Sequence, residues 1–294
     1  MWNRNKVLVI LGPTASGKSS LGVRLAKRLR GEIISADSRQ VYKGLNVGSG
    51  KITHQEMKEV KHYLLDVADP KKQFTVADYQ KLAEEKVRHI VQKDKLPIVV
   101  GGTGFYIDAL TGNVSLPDVP PNKKLRARLA KETNTSLFKL LKQRDPKRAR
   151  TIDPHNKVRL IRALEIVEAL GKVPPVKHRV LDRRFIYIGI RPDDLDERIR
   201  TRLEKRFSGM IREGKQLHTK GLSYKRMYEL GLEYRYIAMY LQGKLNKLDM
   251  LNELYKEIRR YSKRQMSWFK RNQRIKWFKP TQYKEIEKYV KQKL

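Results

Sequence analysis

The sequence predicts an α/β fold in which a parallel sheet core is interrupted by a mostly helical insertion and followed by a helical C-terminal region. Short apolar strand patterns alternate with helical patterns over residues 1–116, which is typical of a parallel sheet. Strand patterns disappear over 117–180, where apolar residues recur at helical spacing. A strand pattern returns at 184–191 and helical patterns follow it. We therefore expect core segments at 1–116 and 181–294, with the insertion at 117–180.

The elements of the first segment are predicted from the spacing of their apolar residues. Lys6–Leu11, Glu32–Ser35 and Pro97–Val100 are short apolar runs typical of buried strands. Helices are predicted at Ser19–Leu29, where leucines recur at every fourth position, and at Val76–Gln92.

The later elements follow a turn-rich stretch, Leu116–Pro121, where prolines exclude continued regular structure. Helices are expected from Lys123 to about Arg179, with Gly171 ending one of them. Arg184–Arg191 is the returning strand, and helices dominate again from Asp194.

The charge of the chain points to a polyanionic partner. There are 66 Lys+Arg against 31 Asp+Glu in 294 residues, a formal net charge of +35. Residues 1–116 hold 19 basic and 11 acidic side chains, whereas 117–294 hold 47 and 20. The second part therefore carries most of the excess, which favours nucleic acid first and an acidic membrane surface second.

Composition also excludes several kinds of site and location. With no cysteine, disulfides, thiolate nucleophiles and Cys-ligated metals are excluded, and six scattered histidines disfavour a His-based metal site. The sequence has no run of 18 apolar residues and no recognisable targeting segment. We expect a cytoplasmic monomer that does not enter a membrane.

A glycine-rich segment follows the first predicted strand and opens a helix: Gly12-Pro13-Thr14-Ala15-Ser16-Gly17-Lys18-Ser19. It fits GxxxxGK[ST] in the context that this motif requires, so the core is predicted to be P-loop NTPase-like. In such a loop, backbone N–H groups surround phosphate oxygens, Lys18 supplies a cation and Ser19 can hold Mg²⁺. The alternative is a glycine-rich turn without a ligand.

The usual hydrolytic carboxylate is missing from the strand at Pro97–Val100. P-loop enzymes that hydrolyse nucleotides hold Mg²⁺ with an Asp at a strand end, but here Gly101-Gly102-Thr103-Gly104 follows. Leu64-Leu65-Asp66 is a shorter strand candidate. The pattern therefore favours transfer around a diphosphate without hydrolysis, with Thr103 donating a hydrogen bond to a phosphate oxygen; the alternative is a Thr in an ordinary turn.

Asp37 follows the second predicted strand. Ligands of doubly wound sheets collect beyond the carboxyl ends of the strands, so Asp37, Lys18 and Thr103 are expected to converge in one crevice. A carboxylate there could accept a proton from an attacking hydroxyl or amine. The alternative is that Asp37 caps a turn.

Seven blocks of the sequence, in order, resemble the bacterial type of the tRNA dimethylallyltransferase (tRNA isopentenyltransferase) family. They are Gly12–Ser19, Ser35–Tyr42, His62–Asp66, Phe74–Tyr79, Gly101–Tyr106, Arg159–Glu165 and Lys263–Phe269.

This resemblance implies transfer of a dimethylallyl group from dimethylallyl diphosphate to N6 of the adenosine on the 3′ side of the anticodon in tRNA. Diphosphate would be released, which explains the missing hydrolytic carboxylate. Lys18, Ser19 and Mg²⁺ would hold the diphosphate, Thr103 would steady it, and Asp37 would be the general base. The partner would be the anticodon stem-loop, whose target adenine must leave its stack.

The resemblance also implies a set of tRNA-binding residues that starts at the predicted crevice. They are Asp37, Ser38, Arg39, Gln40, Thr103, Arg126, Val158, Arg159, Leu160, Ile161, Arg162, Lys263, Arg264, Gln265, Met266, Ser267, Trp268, Phe269 and Lys270.

The last of these blocks has its own helical pattern. Arg260, Arg264, Ser267, Arg271 and Arg274 recur at three- or four-residue steps beside aromatic residues. Such a surface could contact phosphates and stack on the bases of a single-stranded loop. Alternatively, the aromatic residues are core and the charges face only solvent.

The chain departs from the family where a Gly-Tyr-Lys/Arg-Glu/Gln element is usual, because it reads Glu229-Leu230-Gly231-Leu232-Glu233-Tyr234-Arg235. Other functions stay open as alternatives. They are an adenylate isopentenyltransferase that uses a free nucleotide, a P-loop small-molecule kinase and a non-catalytic RNA-binding protein. The basic second half of the chain argues against a small acceptor.

Overall fold

A six-stranded parallel sheet forms the centre of the fold. The computed structural model describes residues 5–175 and 184–294, and within them the strand order is β3-β2-β4-β1-β5-β6. The strands are β1 (Lys6–Leu11), β2 (Gly31–Ala36), β3 (His62–Tyr63), β4 (Leu96–Gly101), β5 (Arg184–Ile190) and β6 (Lys276–Phe278). The predicted α/β class with a parallel sheet is confirmed.

Helices connect and follow these strands. Before the insertion they are α1 (Lys18–Arg28), α2 (His54–Met57), α3 (Val76–Gln92) and α4 (Gly104–Leu110). The insertion contains α5 (Lys123–Leu129), α6 (Asn134–Arg144), α7 (Pro146–Ala149) and α8 (Lys157–Leu170). After it come α9 (Leu195–Thr219), α10 (Tyr224–Leu230), α11 (Leu232–Leu241), α12 (Lys247–Phe269) and α13 (Tyr283–Lys293).

Strand register aligns the carboxyl ends of the central strands. Leu11, the last residue of β1, pairs with Gly101 of β4 and with Gly189 of β5, and Gly101 also pairs with Ala36 of β2. The segments that follow β1, β2 and β4 therefore begin at one edge of the sheet.

The alternation of strand side chains divides the main core into two layers. Val7, Val9 and Leu11 of β1 point into the layer that contains helices α3, α4, α9, α11 and α12. Leu8 and Ile10 point into the opposite layer, which contains α1 and α13. Because both faces are covered, β1 is apolar from Val7 to Leu11 without a polar alternation.

The chain forms two compact units, Met1–Gly112 with Val180–Leu294, and Asn113–Arg179. The second unit has its own core, in which Leu125, Leu129, Leu141, Leu160 and Leu164 pack together. Its described part, 113–175, is helical where it is regular. The expected return to the core at residue 181 lies outside the described residues.

Three sequence-based expectations differ from the structure. A sixth strand, β6, was not predicted. The candidate strand Leu64–Asp66 is wrong, because β3 ends at Tyr63 and Asp66 has a φ of 56° and binds Lys51 through its carboxylate (2.6 Å). The helical stripe does not reach Arg271 and Arg274, because α12 ends at Phe269 and both arginines lie in turns.

Over the described residues, no helix combines the length and the apolar character needed to cross a bilayer.

Candidate functional site

The loop between β1 and α1 has the backbone of an anion-binding cradle. Gly12, Ala15 and Gly17 all have positive φ, at 154°, 61° and 88°. A Cβ atom on Gly12 would lie 2.5 Å from the carbonyl oxygen of Ile190, so glycine is required there.

Several polar groups of this loop lack partners in the described part of the chain. Among the described residues, the N–H groups of Ala15, Gly17, Lys18 and Ser19 have no hydrogen-bond acceptor. The Ser16 hydroxyl is fully buried and has no partner there either. Unpaired N–H groups at a helix N-terminus favour a negatively charged ligand.

Lys18 lies at the centre of the cradle. Its Nζ donates to the carbonyl oxygen of Pro13 at 3.1 Å. Burial, followed by the charge of Arg202, lowers its pKa to about 8 against an opposing effect of Asp37. A bound anion would compensate for both effects.

Asp37 follows β2 directly and caps a turn, which was the alternative to its proposed role as a base. Its Oδ1 accepts hydrogen bonds from the N–H groups of Arg39 (2.9 Å) and Gln40 (3.3 Å). Among the described residues, Oδ2 has no donor. The turn therefore fixes one oxygen and leaves the other able to accept a proton.

Thr103 follows β4 and contacts the segment after β2. Its N–H donates to the Ala36 carbonyl (3.1 Å), and its Oγ1 accepts from the N–H of Ser38 (3.0 Å). The structure thus brings Thr103 beside Asp37, as the parallel topology predicts.

One cavity joins the phosphate loop to the turn after β2, and Thr103 is not part of its lining. Its lining contains the predicted Lys18, Ser19, Asp37, Arg39 and Gln40. Beside it, a larger cleft of about 710 Å³ opens along the phosphate loop. The structure thus brings together predicted residues from two strand ends and helix α1.

The cavity also contains residues that sequence reasoning missed. Arg202 and Arg206 reach it from α9, and Glu233 reaches it from α11. Arg206 donates to the Val47 carbonyl at 2.8 Å, and Arg202 donates to that of Gly50 at 3.1 Å. Arginines one helical turn apart are too common to mark a site, so only the fold identifies these two.

Glu233 belongs to the segment that departs from the family pattern. It lies 3.8 Å from Arg206. Burial raises its pKa; Arg206 opposes this shift and Asp37 adds to it. The neighbouring Tyr234 is buried and donates to Glu213 at 2.8 Å, while Glu213 accepts the N–H groups of residues 46–48. The divergent segment therefore supports the loop of residues 46–48, which contributes Asn46 and Val47 to the lining of the larger cleft.

Of the segment Asp37–Gln40, which the resemblance predicts to bind RNA, Asp37, Arg39 and Gln40 line this cavity and Ser38 does not. Ser38 uses its N–H on Thr103, and Gln40 donates to the Gly50 carbonyl at 3.3 Å. Arg39 donates to the Ser38 carbonyl at 3.1 Å, and its buried Nε has no partner among the described residues. Arg39 is therefore a donor available to a ligand.

The predicted block at the end of α12 has two faces. Lys263, Arg264, Ser267 and Lys270 are exposed, whereas Met266 and Trp268 are half-buried. The Trp268 indole donates to Asp108 at 2.7 Å, and the Arg271 guanidinium lies 3.8 Å from the centre of its ring. Charge and an aromatic ring are thus presented together.

Two members of this block are corrected. Phe269 belongs to the main core at 3% exposure, and Gln265 is buried with both ends of its amide bound within the protein. Neither side chain is available to contact RNA. The core alternative was therefore right for Phe269.

In the insertion, the block predicted to bind tRNA also contains both exposed and buried residues. Val158 is 77% exposed and Arg159 is exposed, but Leu160 is fully buried in the core of this unit, which corrects its predicted contact. Ile161 is half-buried. Alternation is expected, because successive residues of a helix point in different directions.

Arg126 and Arg162, also predicted to bind tRNA, are ion-paired within the insertion. Both bind the carboxylate of Glu165, Arg126 through two hydrogen bonds of 2.8 and 2.7 Å. Burial would raise the Glu165 pKa, but these arginines and the Asn122 N–H outweigh it and hold the pKa at about 2. Their first role is therefore structural.

No group of three or more His, Asp or Glu residues within 5–175 and 184–294 could hold a metal ion by itself. A metal ion at the cradle would take most of its ligands from water and from a bound phosphate, which suits Mg²⁺.

The sequence is similar to one family model and to proteins of known name. Residues 40–272 match the family model described as IPP transferase. The chain is 42% identical over 269 residues to tRNA dimethylallyltransferase 1 of Geotalea uraniireducens, covering 91% of this chain and 89% of the relative. It is also 42% identical over 278 residues to tRNA dimethylallyltransferase 2 of Treponema denticola, covering 92% and 93%.

Solved structures agree with the sequence relatives. The full-length tRNA isopentenylpyrophosphate transferase of Bacillus halodurans superposes with a TM-score of 0.73 at 35% identity, covering 98% of this chain and 96% of that one. A eukaryotic dimethylallyltransferase acting on tRNA gives a TM-score of 0.80 over 94% of this chain and 74% of its own. At 24% identity, that likeness concerns the fold alone.

Proposed function

The chain belongs to the tRNA dimethylallyltransferase (IPP transferase) family, and from this membership we propose that it prenylates tRNA. The reaction transfers the dimethylallyl group of dimethylallyl diphosphate to N6 of the adenosine 3′-adjacent to the anticodon. The products are N6-isopentenyladenosine in tRNA and diphosphate. The observation that supports this most is that the cation of Lys18 and the carboxylate of Asp37 line the same cavity.

The cradle binds the diphosphate of the donor. The N–H groups of Ala15, Gly17, Lys18 and Ser19 and the Ser16 hydroxyl, which have no partner among the described residues, supply hydrogen bonds, and Lys18 supplies charge. Arg202 and Arg206 add two further cations on the α9 side of the cavity. As the bond between carbon and oxygen breaks, negative charge grows on the diphosphate, and these groups stabilise it. Thr103 would steady the same oxygens from the loop after β4, where its hydroxyl already accepts the Ser38 N–H and contacts the Tyr261 side chain.

Ser19 would hold Mg²⁺ together with the diphosphate. Its hydroxyl lies at the first turn of α1, beside Lys18 and in the same cavity as Asp37. When bound, the ion would neutralise part of the charge of the leaving group. The remaining steps use only side chains of this chain.

Asp37 accepts the proton that the acceptor amine must lose. The N6 nitrogen forms its new bond to C1 of the dimethylallyl group, and the C1–O electron pair leaves with the diphosphate. N6 then carries one hydrogen too many, and Oδ2 of Asp37 takes it, while Oδ1 stays fixed by the N–H groups of Arg39 and Gln40.

The RNA binds to the exposed basic residues at the end of α12. Lys263, Arg264 and Lys270 would contact phosphates, and so would Arg271, whose guanidinium lies 3.8 Å from the centre of the Trp268 ring. Removing the target adenine from its stack costs roughly a few kcal/mol, which contacts from Arg39 and its neighbours would offset.

The test is transfer of label from radiolabelled dimethylallyl diphosphate to unmodified tRNA in the presence of Mg²⁺. We compare the wild type with Asp37→Asn, which keeps an Oδ1 acceptor for the turn but cannot take a proton. We expect transfer to fall at least about 100-fold, the usual contribution of a general base, with little change in pyrophosphate affinity.

Asp69→Asn is the matched control. The Asp69 carboxylate makes a similar turn, accepting the N–H of Lys71 at 2.9 Å, but Asp69 does not line the cavity. This variant should transfer label as the wild type does. Absence of label in tRNA with the wild type would overturn the proposed function; full activity of Asp37→Asn would overturn the base. Label transferred to free adenylate in place of tRNA would favour the free-nucleotide enzyme.

A further inference from the structure

Gln265 lies in the block expected to bind RNA, yet its side chain is directed into the protein. Only 7% of the residue is exposed. Its Oε1 accepts the N–H of Thr14 at 2.9 Å, and its Nε2 donates to the carbonyl oxygen of Gly102 at 2.8 Å. Both ends of the amide are therefore bound.

The two partners belong to the two glycine-rich loops of the site. Thr14 lies in the phosphate loop after β1, and Gly102 lies after β4, next to Thr103. A Cβ atom on Gly102 would lie 2.4 Å from Nε2 of Gln265, so the close approach depends on glycine. One side chain of α12 thus joins two loops that are separate in the sequence.

The hydrogen bond to Thr14 means that only part of the N–H groups of the phosphate loop remain for a ligand. The Thr14 N–H is used within the protein, whereas those of Ala15, Gly17 and Lys18 have no acceptor among the described residues. If Gln265 were apolar, the buried C=O of Gly102 and the half-buried N–H of Thr14 would both lose their partner, which is costly. The loops would have to move apart to reach water.

We propose that Gln265 is a positioning residue of the donor site, which holds the phosphate loop and the Thr103 loop in register and does not touch RNA. The inference rests on the proposed function only in taking a diphosphate as the ligand of these loops. Two neighbouring residues of α12 therefore have different roles. Gln265 positions the loops of the donor site, whereas Lys263, two residues earlier, is exposed and can contact RNA.

The experiment measures two affinities separately. Binding of inorganic pyrophosphate with Mg²⁺ is followed by calorimetry without tRNA, and binding of unmodified tRNA is followed without pyrophosphate. For Gln265→Leu we expect the pyrophosphate Kd to rise at least tenfold and the tRNA Kd to change less than threefold. For Lys263→Gln, the matched control, we expect the tRNA Kd to rise at least tenfold and the pyrophosphate Kd to change less than threefold.

A second variant tests the hydrogen bonds themselves. In Gln265→Glu the introduced carboxyl group can still accept from Thr14, but it can donate to Gly102 only when protonated. The ratio of variant to wild-type pyrophosphate affinity should therefore recover as the pH falls. A packing role alone would give a ratio that does not change with pH. This pH dependence tests the proposal even if Gln265→Leu does not fold.

Two results would overturn the proposal: loss of tRNA affinity in Gln265→Leu with pyrophosphate affinity intact, or no change in either. Failure of the proposed function looks different. In that case the wild type binds pyrophosphate but transfers no label to tRNA, and the Gln265 variants still lose pyrophosphate affinity.

Discussion

At the scale of single residues, the site is built from groups that are poorly satisfied without a ligand. Lys18 is the clearest case, because it is half-buried and its pKa falls from 10.5 to about 8. A shift of this size corresponds to about 3 kcal/mol. Between these two pH values the native protein binds fewer protons than the unfolded chain, so stability rises with pH across this window. Below pH 8 the whole destabilisation caused by the charged Lys18 is present.

We therefore predict that Lys18→Met stabilises the ligand-free protein while it weakens pyrophosphate binding at least tenfold. At pH 7 the free energy of unfolding should rise by up to about 3 kcal/mol, and the gain should shrink as the pH rises from 8 towards 10.5. Urea unfolding at several pH values measures it. Lys27→Met, at an exposed position of the same helix, should change stability by less than about 0.5 kcal/mol. A variant less stable than the wild type at pH 7 would contradict the prediction.

At the scale of elements, the sequence predicted best where several local signals agree. Helix α3 has the predicted bounds, Val76–Gln92, because Thr75 and Asp78 form a capping box in front of an amphipathic pattern. Strand β6 was missed because Lys276–Phe278 is only three residues long and is a strand only through its pairing with β5. Local sequence does not contain that pairing.

The residues of the site also fall into those that the sequence predicted and those that it did not. Parallel topology was enough to predict that the segments after β1, β2 and β4 meet at one edge of the sheet. Lys18 and Asp37 line one cavity there, whereas Thr103 is not part of its lining. Arg202, Arg206 and Glu233 were beyond reach, because α9 and α11 carry no motif and their orientation depends on tertiary packing. For the same reason, the direction of the Gln265 side chain could not be known.

The insertion helices give a prediction of their own. Glu165 on α8 joins α5 to α8 by binding Arg126, and its pKa of about 2 lies below the unfolded value of 4.5. Its contribution to stability is therefore complete above about pH 4.5 and is lost as the pH falls towards 2. Glu165→Gln should destabilise the insertion by about 3 kcal/mol at pH 7, since breaking a buried ion pair is costly.

Hydrogen exchange of the α5 and α8 amides, measured between pH 7 and pH 3, tests this prediction. The difference between wild type and variant should narrow at the acidic end. Glu168→Gln is the control on the same helix, because its ion pair with Arg144 is on the surface and should contribute less than about 1 kcal/mol. Equal protection in Glu165→Gln and the wild type at pH 7 would refute the structural role.

At the scale of the whole molecule, the net charge of +35 predicts how tRNA binding responds to salt. Each phosphate neutralised releases condensed cations, so the tRNA affinity should fall steeply and linearly on a log–log plot as salt increases. Lys263→Gln should reduce the slope by about one. Lys27→Gln, on α1, should leave it unchanged. A flat salt response of the wild type would favour the free-nucleotide enzyme instead.

The central position of β1 in the sheet has a consequence for how the protein is made. β1 pairs on one side with β4 and on the other with β5, which is synthesised only after the whole insertion. The Thr14–Gln265 hydrogen bond spans 251 positions of the chain. A nascent chain therefore exposes an unpaired edge of β1 during most of its translation, and its first-made loop becomes a complete binding site only after α12 has left the ribosome.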